Sequence, residues 1–294
     1  MNYLHGAVAL LLAMAPEAAA QQAPSPDAVV QMRQWRTRWA VEAEVGGKTG
    51  LYLFDTGAGI TLVSPESAKR AGCEPWGRLT GYNMMGTRSQ GPHCGETIPI
   101  TLGGIAMKPP ILGLINMGAN NPRDADLDGI VGLNLFEGRT VTLDFAAGTL
   151  TLESEASRAA RIAKMRPLRV RLKREIDGGA LAVMVAVPSK KGTLWFELDS
   201  GNGGTVLASK PIAELVGMNP TLEGKQPADF EVMGDVRAVT GDAFTPDMIM
   251  DGNLGMPFLR NWVVTFDLGR GLAWIGTPPV PPKPAIPLDQ AIKN

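Results

Sequence analysis

Residues 51–63 read LYLFDTGAGITLV, and residues 195–207 read WFELDSGNGGTVL. The two segments align when Asp55 is superposed on Asp199. The further matches in this alignment are Gly57 with Gly201 and Thr61 with Thr205. In both segments an apolar stretch with strand character ends at the aspartate, and a small hydroxyl residue and a glycine follow it. The chain therefore contains a repeated strand-and-loop unit that carries a carboxylate at the end of its strand.

A second pair of matching segments lies downstream of each aspartate. Residues 128–132 read DGIVG and residues 251–255 read DGNLG, and each precedes a strand that turns at glycine into another strand. We call these two segments the first and the second Asp-Gly landmark. Asp128 lies 73 residues after Asp55, and Asp251 lies 52 residues after Asp199, so the first copy is 21 residues longer. The extra residues fall in the glycine-dotted stretch 77–95. Landmarks repeated in the same order predict two β-rich lobes produced by duplication.

Composition agrees with a β-rich chain and excludes several classes of function. The 294 residues are 45% hydrophobic and include 35 Gly and 23 Pro, which favours a large core with many turns. A net charge of -1 provides no global field for nucleic acid or anionic membranes. The basic stretch 158–174 is interpreted as a solvated connector followed by a strand with one wet face. With two Cys and two His, a multi-ligand zinc site and an iron–sulfur cluster are excluded, and we expect neither metal nor cofactor.

The N-terminus is predicted to be a secretory signal. The apolar run 7–15 is followed by three alanines that end at Ala20 and then by polar residues, and the run is too short to span a bilayer. A buried N-terminal helix is the alternative. After cleavage behind Ala20 no integral membrane segment is expected, and the protein would be periplasmic or secreted. In that oxidising setting Cys73 and Cys94 are candidates for a disulfide, although two buried thiols would fit the sequence equally well.

These observations divide the chain into five parts. The predicted parts are a signal peptide (1–20), an N-terminal lobe with the first Asp-Thr-Gly (21–155), a connector (156–166), a C-terminal lobe with Asp-Ser-Gly (167–277) and a Pro-rich tail (278–294).

The paired aspartates indicate acid–base chemistry. Glycine lets the chain turn sharply beside the carboxylate, and the neighbouring hydroxyl can hydrogen-bond across to the other copy. Two related lobes would bring the carboxylates face to face, where like charges share one proton. One carboxylate then activates a water, while the protonated one donates to a substrate carbonyl.

The chain resembles the pepsin/retropepsin superfamily of aspartic peptidases over roughly residues 37–276. The motifs that carry the resemblance are residues 54–58 (FDTGA), residues 198–202 (LDSGN), the two landmarks and the closing segment 255–267. The chain looks like the compact bacterial, exported retropepsin-like type with both lobes in one polypeptide. The resemblance implies an all-β, bilobal fold with a cleft between two β-barrel-like lobes.

The resemblance also implies roles for particular residues. The catalytic dyad would be Asp55 and Asp199. The residues expected to support the dyad are Thr56, Gly57, Ser200 and Gly201. A flap would lie within residues 77–95, and Tyr82 is its tyrosine candidate, with an ordinary loop aromatic as the alternative reading. The sequence departs from the family pattern at two positions. Asn253 replaces an apolar residue of the second landmark. Ala58 replaces a frequent serine, and because the missing hydroxyl would stabilise ionised Asp55, we expect a less acidic activity optimum than that of gastric-type enzymes.

Two functions follow from the sequence. The first is an aspartic endopeptidase that acts on polypeptides without a covalent intermediate, a metal or a cofactor. The second is a non-catalytic relative that uses the cleft to bind peptides or cell-envelope ligands. The presence of both aspartates favours the enzyme. Because one chain supplies both aspartates, we expect a monomer.

Overall fold

The computed structural model describes residues 24–282, and the strands of this part form three sheets. The predicted signal peptide and residues 283–294 of the predicted tail lie outside the described residues. In chain order the strands are β1 (Ala28–Gln31), β2 (Arg33–Trp35), β3 (Arg38–Val45), β4 (Lys48–Phe54), β5 (Thr61–Val63), β6 (Pro75–Tyr82), β7 (Arg88–Cys94), β8 (Ile100–Leu102), β9 (Ile105–Met107), β10 (Leu112–Leu114), β11 (Gly129–Val131), β12 (Thr140–Asp144), β13 (Thr149–Glu153), β14 (Arg166–Leu168), β15 (Val170–Lys173), β16 (Ala182–Ser189), β17 (Gly192–Leu198), β18 (Val206–Ala208), β19 (Gln226–Met233), β20 (Val236–Phe244), β21 (Gly252–Leu254), β22 (Val263–Asp267) and β23 (Leu272–Gly276).

Helices are short and connect the strands. The α-helices are α1 (Pro65–Arg70), α2 (Met117–Asn120), α3 (Glu155–Ile162) and α4 (Met256–Leu259), and the 3-10 helices are Pro122–Asp124, Leu133–Phe136 and Lys210–Val216. Helix α1 begins where Ser64 accepts a hydrogen bond from the Ser67 amide and proline occupies the first helical position. Helix α3 begins with a serine cap as well, because Ser154 accepts a hydrogen bond from the Ser157 amide, and it connects the two lobes. No helix of the described part is long and apolar enough to cross a membrane.

Each lobe is built around the same arrangement of five strands, β3-β4-β11-β5-β10 in the N-terminal lobe and β16-β17-β21-β18-β20 in the C-terminal lobe. The N-terminal sheet has the order β6-β7-β10-β5-β11-β4-β3-β8-β9, with β2 beside β3, and the C-terminal sheet has the order β15-β16-β17-β21-β18-β20-β19. In both lobes the strand that leads to the aspartate pairs in parallel with the strand of that lobe's own Asp-Gly landmark, β4 with β11 and β17 with β21. The prediction of an all-β fold with two related lobes is confirmed.

A third sheet of six strands joins the lobes, and its order is β1-β13-β12-β22-β23-β14. At its centre β12 and β22, one from each lobe, run antiparallel with Thr142 opposite Thr265. The two threonine hydroxyls are 2.8 Å apart, which makes this pair the midpoint of the approximate twofold symmetry. Because β22 is buried along its whole length, its sequence Val-Val-Thr-Phe-Asp lacks the apolar and polar alternation of a strand with one face in solvent.

Candidate active site

The two aspartates are placed by strand pairing and by the landmark that follows each of them. Asp55 follows β4, and the carboxylate of Asp128 accepts a hydrogen bond from the Leu51 amide in that strand (3.2 Å). In the C-terminal lobe Asp199 follows β17, and the carboxylate of Asp251 accepts one from the Trp195 amide (2.8 Å). Both bonds reach the residue four positions before the aspartate. The Asp-Gly landmarks therefore fix the strand ends, which explains why they recur in both copies.

The loops that follow the aspartates are locked together by hydroxyl groups. Thr56 Oγ1 donates to the Leu198 carbonyl (2.6 Å) and accepts from the Ser200 amide (3.0 Å). Ser200 Oγ donates to the Phe54 carbonyl (2.9 Å) and accepts from the Thr56 amide (3.1 Å). Both side chains are fully buried, so each of these bonds also satisfies a backbone group that would otherwise lack a partner. The four reciprocal bonds hold the two aspartate loops in one fixed relation.

The glycines of the two motifs let the carboxylates approach each other. A Cβ atom on Gly57 would lie 2.6 Å from Cγ of Asp199, and a Cβ atom on Gly201 would overlap the Asp55 carboxylate even more closely. Real Cβ atoms do not approach other atoms this closely. Each glycine therefore packs directly against the aspartate of the other lobe. The site residues predicted from the sequence for the dyad and its support thus meet at one point between the lobes.

The two carboxylates differ in their hydrogen bonds. Asp55 accepts one bond on its side chain, from the Gly57 amide (2.9 Å). Asp199 accepts three, from the amides of Gly201 (2.8 Å) and Asn202 (3.2 Å) and from Nδ2 of Asn253 (2.7 Å). Hydrogen bonds from donors favour the charged form of a carboxylate. Burial and the neighbouring Asp199 raise the pKa of Asp55 well above its usual range.

Asn253 departs from the apolar pattern of its landmark for a reason that the structure makes clear. Its side chain is fully buried beneath the dyad, donates to Asp199 and accepts from Nδ2 of Asn202 (2.8 Å). A buried amide is stable only when its polar atoms are paired, and here both the nitrogen and the oxygen are. Asn253, which interrupts the apolar pattern of the sequence, thus supplies a hydrogen-bond donor to Asp199.

A cavity of about 540 Å³ surrounds the dyad and extends along both lobes. Asp55 and Asp199 line it together with Glu197, a third carboxyl group that lies two residues before Asp199. Glu197 is 3% exposed, and burial and the charge of Asp199 raise its pKa to about 8. Sequence reasoning missed this residue. The sequence does contain a signal for Glu197. It is the one acidic residue in the otherwise apolar stretch 195–198 (WFEL), and the first copy has Leu53 at the equivalent position.

A β-hairpin covers the cavity where the sequence predicts a flap. The hairpin consists of β6 and β7, and its tip reaches the C-terminal lobe, where the Ile249 amide donates to the Met84 carbonyl (3.1 Å). Tyr82 is the last residue of β6 and lines the cavity, although 59% of its surface is exposed. A disulfide between Cys73 and Cys94 joins the residues at the base of the hairpin. Within residues 24–282 no group of three or more His, Cys, Asp or Glu side chains is arranged to hold a metal ion.

Two lobes of common topology that meet at paired, mutually hydrogen-bonded aspartate loops define the fold of the aspartic proteases. Residues 41–135 match the family model described as aspartyl protease. Among solved structures, basic 7S globulin from soybean superposes with a TM-score of 0.53 at 9% identity, over 85% of this chain and 94% of that chain. Conglutin gamma, a basic 7S globulin from lupine seeds, gives 0.56 at 11% identity, over 86% and 95%. A search of the curated proteins found no match.

The chain is related to the aspartic protease superfamily, as its sequence motifs indicate. The family match covers the N-terminal lobe from β3 to the 3-10 helix behind the first landmark. The similarity to the two seed globulins extends over both lobes and concerns the fold. Neither globulin's name states a proteolytic activity.

Proposed function

We propose that the protein is an aspartic endopeptidase that hydrolyses peptide bonds with Asp55 and Asp199. The observation that carries the proposal is the packing of each motif glycine against the carboxylate of the opposite lobe, which brings two acids together at the floor of a covered cavity. Paired carboxyl groups that share one proton can act as acid and base at the same time. The aspartyl protease family match over the N-terminal lobe supports this assignment.

The unequal hydrogen bonding of the dyad assigns a role to each aspartate. Asp199, with three donors, is the ionised carboxylate and removes a proton from the attacking water. Asp55, whose pKa is raised, is protonated and gives its proton to the carbonyl oxygen of the scissile bond. The water oxygen bonds to the carbonyl carbon, which yields a tetrahedral diol. Asp199 then passes its proton to the leaving nitrogen, Asp55 recovers a proton from the diol, and the carbon–nitrogen bond breaks.

The cavity and the hairpin over it support an extended polypeptide as the substrate. The cavity is lined by residues of both lobes and by the inner side of the β6–β7 hairpin. A substrate that reaches this floor must pass under the contact between Met84 and Ile249, so the hairpin has to open and close during turnover. Closure would exclude bulk water from the dyad and strengthen its electrostatic interactions with the substrate.

The test compares the full chain with Asp55→Asn and Asp199→Asn on an unfolded protein mixture between pH 3 and pH 8. Either substitution removes the acid–base pair, so we expect cleavage to fall by at least about a thousandfold while the circular dichroism spectrum is retained. Asp229→Asn, which removes an exposed carboxylate in β19, is the matched control and should cleave normally. Cleavage that survives both dyad substitutions would overturn the proposal. A folded wild type that binds peptides without cleaving them at any pH would establish the alternative, a binding relative of the fold.

A further inference from the structure

We propose that Glu197 forms a recognition site for a cationic group of the substrate, the ammonium of lysine or the guanidinium of arginine, close to the scissile bond. This inference rests on the proposed function, because it assigns a side-chain preference to the same cleft. It concerns a residue with no part in the acid–base steps derived above. The evidence lies in the place of Glu197 in the sheet, in its burial and in the charges around it.

The sheet places Glu197 on the wall of the cavity beside the dyad. In β17 it precedes Asp199 by two residues, and side chains two apart in a strand point to the same face. Across the parallel pair it stands opposite Asn253, whose amide holds Asp199. Glu197 and Asp199 both line the cavity. A substrate side chain next to the bond that Asp199 attacks would therefore meet the Glu197 carboxyl group.

The carboxyl group is buried and has no cationic partner in residues 24–282. Only 3% of Glu197 is exposed, and no lysine or arginine of the described part forms an ion pair with it. Lys173 of β15 forms its ion pair with Glu175 (3.2 Å), and its charge lowers the pKa of Glu197 without forming an ion pair with it. Burial favours the neutral form of such a carboxyl group, and a buried acid on the wall of a cavity is a candidate for ligand recognition.

The charges of the cavity wall select the sign of the ligand. Its ionisable lining residues are Asp55, Asp199, Glu197 and Glu175 against the single base Lys173. With one proton shared in the dyad and Lys173 neutralised by Glu175, the remaining wall favours a positive group and repels a carboxylate. An ammonium or guanidinium can reach Glu197 with charge-assisted hydrogen bonds, which are among the strongest that proteins form.

The raised pKa of Glu197 adds a pH dependence. Near neutral pH the empty site holds a proton, and an arriving cation displaces that proton into solvent. The charged groups around Glu197 are Asp199 and Asp55 at the dyad, Lys173 in β15 of the same sheet and Glu175, which follows that strand. Preference for a cationic substrate should therefore increase as the pH rises towards 8.

The experiment uses four octapeptides that are identical except for lysine or norleucine at position 4 or position 5. Norleucine has the length of lysine without its charge. For one of the two positions we expect the wild type to cleave the lysine peptide with a kcat/KM at least about tenfold higher than the norleucine peptide. Glu197→Gln should reduce that ratio to about two or less, and Glu197→Leu, which restores the residue type of Leu53, should invert it. Glu223→Gln, at an exposed position outside the cleft, is the control of equal charge and should keep the wild-type ratio.

A second measurement separates this inference from the proposed function. Dissociation constants of the same labelled peptides are measured with the Asp55→Asn chain and with the double variant Asp55→Asn, Glu197→Gln. Tighter binding of the lysine peptide to the first chain, lost in the second, supports the cation site even if no peptide is cleaved. Equal binding of lysine and norleucine peptides, or a lysine preference that persists without Glu197, overturns it, whether or not the wild type proves to be a peptidase.

Discussion

The two lobes share a backbone plan and differ in what they place behind their aspartates. In the N-terminal lobe Leu53 of β4 stands opposite Ile130 of β11, and both belong to a small apolar cluster that includes Leu127. The corresponding positions of the C-terminal lobe are Glu197 and Asn253. An apolar pair in one lobe thus corresponds to an acid and an amide in the other.

The geometry of the two aspartate loops and the electrostatics of their carboxyl groups are therefore set by separate residues. The hydroxyl and glycine positions, which set the distance between the loops, are occupied equivalently in both lobes. The residues around them differ between the lobes, and because hydrogen-bond donors and buried charges shift proton affinity without moving the backbone, we expect these residues to make the two carboxyl groups unequal. A duplicated, nearly symmetric frame therefore carries two carboxyl groups with different surroundings, as the proposed reaction, which needs an acid and a base, requires.

The symmetric half of the comparison predicts the largest effects. Gly57→Ala and Gly201→Ala each place a methyl group where the carboxylate of the other lobe lies, so the dyad must separate. We expect each to lower kcat/KM by more than about a hundredfold, and to a similar extent. Gly241→Ala in β20, where an added methyl group meets nothing within 4 Å, is the control and should retain activity. A glycine variant with normal turnover would show that the close packing of the loops is unnecessary.

The difference in hydrogen bonding between the two aspartates is tested by a substitution of Asn253. Replacing it with leucine removes the donor to Oδ2 of Asp199 while roughly keeping the side-chain volume. Because a carboxylate that loses a donor is harder to ionise, kcat/KM should fall about tenfold at acidic pH and the acidic limb of the pH–rate profile should move to higher pH. Asn261→Leu removes an exposed amide as a comparison and should leave the profile in place. An unchanged acidic limb in Asn253→Leu would mean that the amide has no part in the asymmetry.

The smallest expected effect is on stability and belongs to Glu197. Its pKa is raised to about 8 in the folded protein, so the folded state holds a proton that the unfolded state releases. The stability that depends on this proton is complete below the unfolded value of 4.5 and is lost as the pH rises through about 8. Glu197→Gln has no proton to lose. Its Tm should match the wild type at pH 4 and exceed it at pH 8 by about 2–4 °C or more.

The measurement is thermal unfolding at intervals from pH 4 to pH 8, with Glu223→Gln alongside. That control removes an exposed carboxylate, so its Tm should follow the wild type throughout. If the curves of Glu197→Gln and wild type stay parallel across this range, the buried acid does not titrate as described, and the electrostatic difference between the lobes is smaller than its contacts indicate.

Much of the fold could be predicted from the sequence because its signals are local. An apolar strand that ends at an aspartate, a following glycine and a second Asp-Gly landmark leave a readable pattern, and the repetition of that pattern predicts two related lobes. The helix signal at Ser64 and Pro65 is of the same kind, since a cap depends on its immediate neighbours. The resemblance implied a flap over the cleft, and the length difference between the copies placed it within residues 77–95.

The contacts that could not be predicted from the sequence join residues that are distant in the chain. The pairing of β12 with β22 into a sheet shared by both lobes joins segments more than a hundred residues apart, and the contact of Met84 with Ile249 is longer in range still. The environment of Glu197 depends on residues from three parts of its lobe, which are Asp199, Asn253 of β21 and Lys173 of β15. Sequence by itself determined the repeated frame and its two aspartates, because strand and turn preferences act between neighbours. The proton affinities of the carboxyl groups depend on burial and on facing charges, and only the folded chain brings these together.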